Sequence, residues 1–164
     1  MTIEEKMRLV LRLAEEGMKQ GELPVAAIIF HGDNIISKAF TTEKKERRYL
    51  VHAELQAMME MDKQKYPIKT RKEMQLFTNL EPCMMCFGTA IHSFVGEIYY
   101  SLESPTDGGA VWTEKTWNNH HTASVFKLPK VYSGILEEES KELFKRFLES
   151  HPQGGISDWV KTLI

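Results

Sequence analysis

Cys83 and Cys86 are the only two cysteines in the chain, and they stand three residues apart. Side chains at i and i+3 of a helix are neighbours, and a helix N-terminus lowers thiol pKa, so both can act as thiolate ligands to a cation such as zinc. Upstream lies His52-Ala53-Glu54. With His52 as third ligand the donor set is two sulfurs and one nitrogen, which leaves the fourth tetrahedral position of Zn2+ to water and marks an open, catalytic site. Glu54 starts the same helix as His52 and can sit beside that water without binding metal. Zinc can bring the water's pKa down to about 7, and a nearby carboxylate can take its proton and pass it to a substrate.

Taken singly, these residues have plainer readings. A bare C-x-x-C also fits a thioredoxin-like redox pair, but Met84-Met85 is an unusual interior and the upstream His-x-Glu would then be idle. A closed structural zinc needs a fourth ligand from His31, His92, His120 or His121, none of which stands in a second half-motif. The joint pattern carries the signal.

The elements that must position these residues follow from periodicity. Thr2 and Glu5 form a capping-box pattern, and Ile3, Met7, Val10, Ala14 and Met18 recur at helical spacing until Gly21. Val25 to Phe30, the turn His31-Gly32-Asp33-Asn34 and Ile35 to Phe40 read as a β-hairpin. Residues 41–49 are polar and read as a loop, after which His52 begins a helix with Leu55, Met58 and Met59 at helical spacing. Met74 to Thr78 is a strand, and Pro82 suits the first turn of a helix carrying Phe87, Ala90, Ile91 and Phe94. Ile98 to Tyr100 and Val131 to Ile135 read as strands, and the connection between them is long enough for a parallel crossover. Glu137 to Glu149 reads as a helix with Leu143, Phe144, Phe147 and Leu148 on one face, and Ser157 to Ile164 as a short added turn. This order implies an α/β fold, a mixed sheet of five strands with helices on both faces, and places both chemical segments at strand-to-helix corners.

At 164 residues the chain suits one domain, 1–164, with a core over about 5–150 and a C-terminal tail over 151–164. With 42% hydrophobic residues and roughly 70% of its unfolded surface available for burial, it needs no metal merely to fold. A formal net charge of -2 argues against the basic average surface of a duplex binder. The N-terminus has no basic and apolar leader, and no apolar run approaches a membrane span, so a cytoplasmic protein without a membrane partner is expected.

H-x-E followed by P-C-x-x-C is the signature of zinc-dependent nucleobase deaminases. Over about residues 5–150 the chain resembles the cytidine deaminase superfamily and is most similar to the branch of tRNA adenosine deaminases and guanine or cytosine deaminases, while Leu80 to Cys86 with Ala90-Ile91-His92-Ser93 looks particularly like the tRNA adenosine deaminase version. The resemblance implies a three-layer α/β/α sandwich with both zinc helices on one side of the sheet. It implies one Zn2+ held by His52, Cys83 and Cys86, with Glu54 as general acid/base. Ala53, Thr41, Phe40 and Pro82 become candidate substrate contacts, and a homodimer is implied. Three segments depart from the tRNA-editing pattern. Thr41 replaces an asparagine, Arg48-Tyr49-Leu50 replaces an Asp-Pro-Thr-like turn, and Glu149-Ser150 replaces a basic run after Phe147-Leu148. These departures favour a small nucleobase or nucleoside substrate, with tRNA as the alternative. A non-catalytic, zinc-stabilised RNA-binding module is the reading from a different class; loss of the glutamate would mark it, and Glu54 is present. Glu43 to Arg48 is a mixed but locally basic stretch that reads as a solvated loop or a phosphate contact, and Tyr49, Trp112 and Trp117 as packing or base-stacking groups. Met58, Met59 and Met61 read as core or subunit contact, and His120-His121 as surface. The tail, with Trp159 and Leu163, reads as a cover for a neighbouring subunit's cleft, as tails are in some guanine deaminases.

Overall fold

The computed structural model describes residues 1–117 and 125–164. α1 (Ile3–Lys19) opens with the expected capping box: Glu5 N–H donates to Thr2 Oγ1 at 3.1 Å and Thr2 N–H to Glu5 Oε2 at 2.7 Å. The expected hairpin is β1 (Ala26–His31) and β2 (Asn34–Phe40), joined antiparallel. β3 (Met74–Leu80) runs antiparallel to β1 on its other side, and β4 (Glu97–Leu102) and β5 (Lys130–Tyr132) follow in parallel, giving the order β2-β1-β3-β4-β5. The mixed five-stranded sheet is therefore present, including the parallel crossover into β5.

Strand alternation sorts the core into two layers. Ala27 and Ile29 of β1 pack with Ala53, Ala57, Met58 and Met61 of α3 (Ala53–Lys63) and with Cys86, Phe87 and Ala90 of α5 (Met84–His92). Ala26, Ile28 and Phe30 face the opposite way, against Met7, Val10 and Ala14 of α1 and against Phe77 and Tyr99. α7 (Glu137–Ser150) contacts α1 and β4, and its Leu143 joins the α1 layer. The result is an α/β/α sandwich with α3 and α5 together on one side. Met58 and Met61 are core, whereas Met59 is exposed. Among the described residues, no helix is long and apolar enough to cross a membrane.

The stretch expected as a loop at 41–49 holds one helical turn, α2 (Glu43–Glu46). The buried carboxylate of Glu22 accepts from the N–H groups of Lys44 (3.0 Å) and Lys45 (2.8 Å), satisfying donors that the turn leaves open. That partner is some twenty residues away, so local pattern does not reveal it. Another short turn, α4 (Ile68–Arg71), follows Pro67. The long connection before β5 contains α6 (Ala110–Thr116), and α8 (Gly155–Val160) ends the chain. His120-His121 lie outside the described residues.

The loop before α6 is stitched to the start of α5. Buried Glu81 accepts from Ser104 N–H and Ala110 N–H, each at 3.0 Å, Met84 N–H donates to Asp107 O at 3.1 Å, and Gly109 N–H donates to Pro82 O at 2.8 Å. The backbone at Gly108 passes so close that a Cβ there would overlap the Glu81 carboxylate. Gly108→Ala is therefore expected to cost about 1–3 kcal/mol through overpacking, read as a fall of several degrees in melting temperature. An unchanged melting temperature would show that this loop is not clamped.

Candidate active site

His52 and Cys83 occupy equivalent places in the fold. Each is the N-cap of its helix in extended conformation (φ -64°, ψ 150° and φ -62°, ψ 168°), His52 for α3 and Cys83 for α5, and neither side chain caps its own helix. Both are free to point across the corner, and Cys86 comes up from the first turn of α5. Nδ1 of His52 lies 3.6 Å from Cys83 Sγ and 3.7 Å from Cys86 Sγ, and the three ligand atoms all fall within 4.8 Å of one another. Zn–S bonds of about 2.3 Å and a Zn–N bond of about 2.1 Å at tetrahedral angles put sulfur and nitrogen about 3.6 Å apart. The donor set thus fits zinc in chemistry and in spacing. His31 pairs with Glu73 at 3.3 Å and His92 packs on the Phe126 ring, so neither supplies a fourth ligand.

The electrostatics suit a cation. The Cys83 thiol is pulled down to about 4, first by the hydrogen bond from Cys86 and then by His52. Cys86 is pushed well up, because it donates to Cys83 and is buried. His52 is raised to about 10 by its contacts with Cys83 and then Glu43. Metal ligation needs the deprotonated thiols and the neutral imidazole, so metal binding here would release protons. Glu54 is buried at 3% exposure with Oε2 3.7 Å from Cys86 Sγ, and burial is the first cause that raises its carboxyl to about 7.

A cleft of about 240 Å³ opens on this corner, lined by Leu23, Val25, Thr41, Ala53, Glu81 and Asp107 besides His52, Glu54, Cys83 and Glu43, with Cys86 buried behind it. Of the substrate contacts expected, Ala53 and Thr41 are on its wall, though the Thr41 hydroxyl is buried and donates to Val51 O at 3.2 Å. Phe40 and Pro82 are not. The Phe40 ring turns to the other layer and packs against Gly17 of α1, and Pro82 offers its carbonyl to Gly109. Tyr49, Trp112 and Trp117 also lie off the cleft: Tyr49 and Trp112 are exposed and Trp117 packs on the core.

Two contributions escaped the sequence reading. Glu43 Oε1 lies 3.6 Å from His52 Nε2, the ring nitrogen facing away from the cysteines, where a carboxylate fixes tautomer and orientation. The only signal for it was a glutamate inside a mixed-charge run. The tail was expected over a neighbour's cleft, but Ile156 and Trp159 line the cleft of their own chain. Val160 and Leu163 are buried in the core, and the Trp159 indole N–H donates to Thr106 Oγ1 at 3.0 Å, which holds the tail in place.

Cys83→Ser is expected to abolish stoichiometric zinc on metal analysis. Glu43→Gln should keep zinc but weaken its affinity about 10- to 100-fold in competition with a chelator. Equal zinc retention by both variants and the parent chain would contradict this ligand set.

The chain is similar to known proteins in the same region. Residues 1–102 match the cytidine and deoxycytidylate deaminase zinc-binding region. It is 32% identical over 145 residues to the tRNA-specific adenosine deaminase of Rickettsia bellii, covering 87% of this chain and 97% of that one. With the tRNA-specific adenosine deaminase of Bacillus subtilis it shares 27% identity over 146 residues, 86% of this chain and 85% of that one. Its fold matches a structure from work on A-to-I editing by tRNA:A34 deaminases (TM-score 0.69, 24% identity, 84% and 96% covered). It also matches a guanine deaminase from Nitrosomonas europaea (TM-score 0.66, 20% identity, 89% and 84% covered). The match to the zinc-binding region takes in His52, Glu54, Cys83 and Cys86 and strands β1 to β4, and on it the chain belongs to the cytidine and deoxycytidylate deaminase family of zinc-dependent hydrolytic enzymes.

Proposed function

We propose that residues 1–164 form one deaminase domain that replaces the exocyclic amino group of a small nucleobase or nucleoside by oxygen and releases ammonia. The observation that carries the choice of substrate is the tail: Ile156 and Trp159 of the same chain line the cleft of about 240 Å³ beside His52, Glu54 and Cys83. Water is the co-substrate. When bound, zinc supplies the Lewis acid that makes water acidic near neutral pH.

The chain's own residues do the rest. His52, Cys83 and Cys86 would hold the metal, and Glu43 steadies the imidazole. Glu54, whose burial lets it carry a proton near neutrality, takes one proton from water and hands it to the ring nitrogen as the water oxygen bonds to the amine-bearing carbon; it then takes the second proton from that oxygen and passes it to the amine, so that the C–N bond breaks, C=O forms and ammonia leaves. Leu23, Val25 and Trp159 exclude bulk water around the base, while Ala53 and Thr41 border it.

A second reading, adenosine in tRNA, is favoured by the curated relatives, which are tRNA-specific adenosine deaminases. Thr41 on the cleft wall, in place of an asparagine, weighs toward the small substrate. Exposed Met59, Met84, Val111 and Trp112 on α3, α5 and α6 support a homodimer built on the zinc-helix side.

Ammonia release over adenine, guanine, cytosine, their nucleosides and a tRNA anticodon stem-loop tests the assignment. Turnover of a base or nucleoside is expected, and turnover of the stem-loop alone would replace it by the tRNA reading. Glu54→Ala should retain zinc and lose roughly two to four orders of magnitude in rate. Full activity in that variant would remove Glu54 from the mechanism.

A further inference from the structure

Among the described residues, no lysine or arginine lines the catalytic cleft, and four carboxylates do: Glu43, Glu54, Glu81 and Asp107. Three of them are committed. Glu54 carries the protons of the proposed reaction, Glu81 accepts from Ser104 N–H with one oxygen and from Ala110 N–H with the other, and Glu43 faces His52. Asp107 is left over. The hydroxyls of Ser104 and Thr106 both donate to its Oδ1, and among the described residues nothing donates to Oδ2.

Asp107 is also held in place. The loop that carries it is fastened at both ends to Glu81, and the Asp107 carbonyl accepts from Met84 N–H at 3.1 Å at the start of α5. Thr106 Oγ1, which donates to Asp107, itself accepts the Trp159 indole N–H at 3.0 Å. The Trp159 indole and the Asp107 carboxylate are therefore joined through one hydroxyl, and both residues line the cleft. A planar heterocycle there meets an aromatic side chain and a carboxylate with an open oxygen. A carboxylate can only accept, and an acceptor covered by a ligand that brings no donor loses its hydrogen bond to water without replacement.

We infer that Asp107 determines specificity, its Oδ2 accepting a ring N–H of the base on an edge away from the reacting one. Zinc ligands and Glu54 serve the reacting edge, that is, the amine-bearing carbon, its amine and the neighbouring ring nitrogen. In adenine, guanine and cytosine alike, the ring N–H that a sugar replaces lies off that edge. Asp107 thus favours a free base over its nucleoside. The absence of Lys and Arg from the lining agrees, since no cationic side chain of that kind would offset an anionic ligand. The inference deepens the proposed function and rests on it, because it takes this cleft as the place of the base.

Binding to zinc-loaded Glu54→Ala protein tests the role of Asp107 without turnover. Adenine, guanine and cytosine are titrated by calorimetry beside 9-methyladenine, 9-methylguanine and 1-methylcytosine, in that protein and with Asp107→Asn added. Asparagine has nearly the same shape and can still accept from Ser104 and Thr106, but it presents an amide N–H where Oδ2 stood. At least one base is expected to bind about tenfold or more tightly than its methylated form, and Asp107→Asn should bring that ratio toward one by weakening the unmethylated base. A ratio that Asp107→Asn leaves unchanged would show a steric bar to the methyl group and overturn the inference. A ratio near one before the substitution, or no binding of any base, would overturn it as well. Should the Asp107-dependent ratio appear while parent protein releases ammonia from no substrate, the deamination reading fails and the role of Asp107 in binding stands. Ammonia release without that ratio leaves deamination standing and removes Asp107.

Discussion

The separations of 3.6 and 3.7 Å between the His52 imidazole and the two sulfurs demand that two helices begin almost on top of each other at one edge of the sheet. Much else serves that demand. β3 hands the chain to α5 while β1 and β3 run side by side, and α3 and α5 pack on the same face through Ala53, Ala57, Phe87 and Ala90. Small residues at these contacts let the two helix starts approach. Glu81, held between Ser104 and Ala110, clamps the loop that closes over the beginning of α5.

Burial then divides labour among the ionisable groups. Cys83 becomes a thiolate because Cys86 and His52 donate to it, whereas Glu54, next door and almost fully enclosed, has its carboxyl pushed up to about 7. The same corner thus contains ligands that favour a cation and a carboxyl that can hold or release a proton near neutral pH. The tail adds the outer wall, with Val160 and Leu163 as its anchors in the core and Ile156 and Trp159 as its contribution to the cleft.

The zinc triad, Glu54, the hairpin and the mixed sheet were legible because each leaves a short-range mark: His-x-Glu, Pro-Cys-x-x-Cys, alternation in β1, three-and-four spacing in α1 and α7. What was not legible depends on partners far apart in sequence. α2 exists because Glu22 meets Lys44 and Lys45, and Glu43 gains a role only because that turn brings it to His52. Phe40 was expected at the cleft on the strength of family position, but a ring at the end of β2 finds Gly17 across the α1 layer. Trp159 looked available to a neighbour because nothing local shows that Val160 and Leu163 have a place in their own core.

X-ray absorption at the zinc edge, on protein purified without chelator, tests the central claim most directly. The account predicts two sulfurs at about 2.3 Å, one imidazole nitrogen at about 2.0–2.1 Å and one further light atom from solvent. A fourth protein ligand closing the shell, or a shell without sulfur, would contradict it.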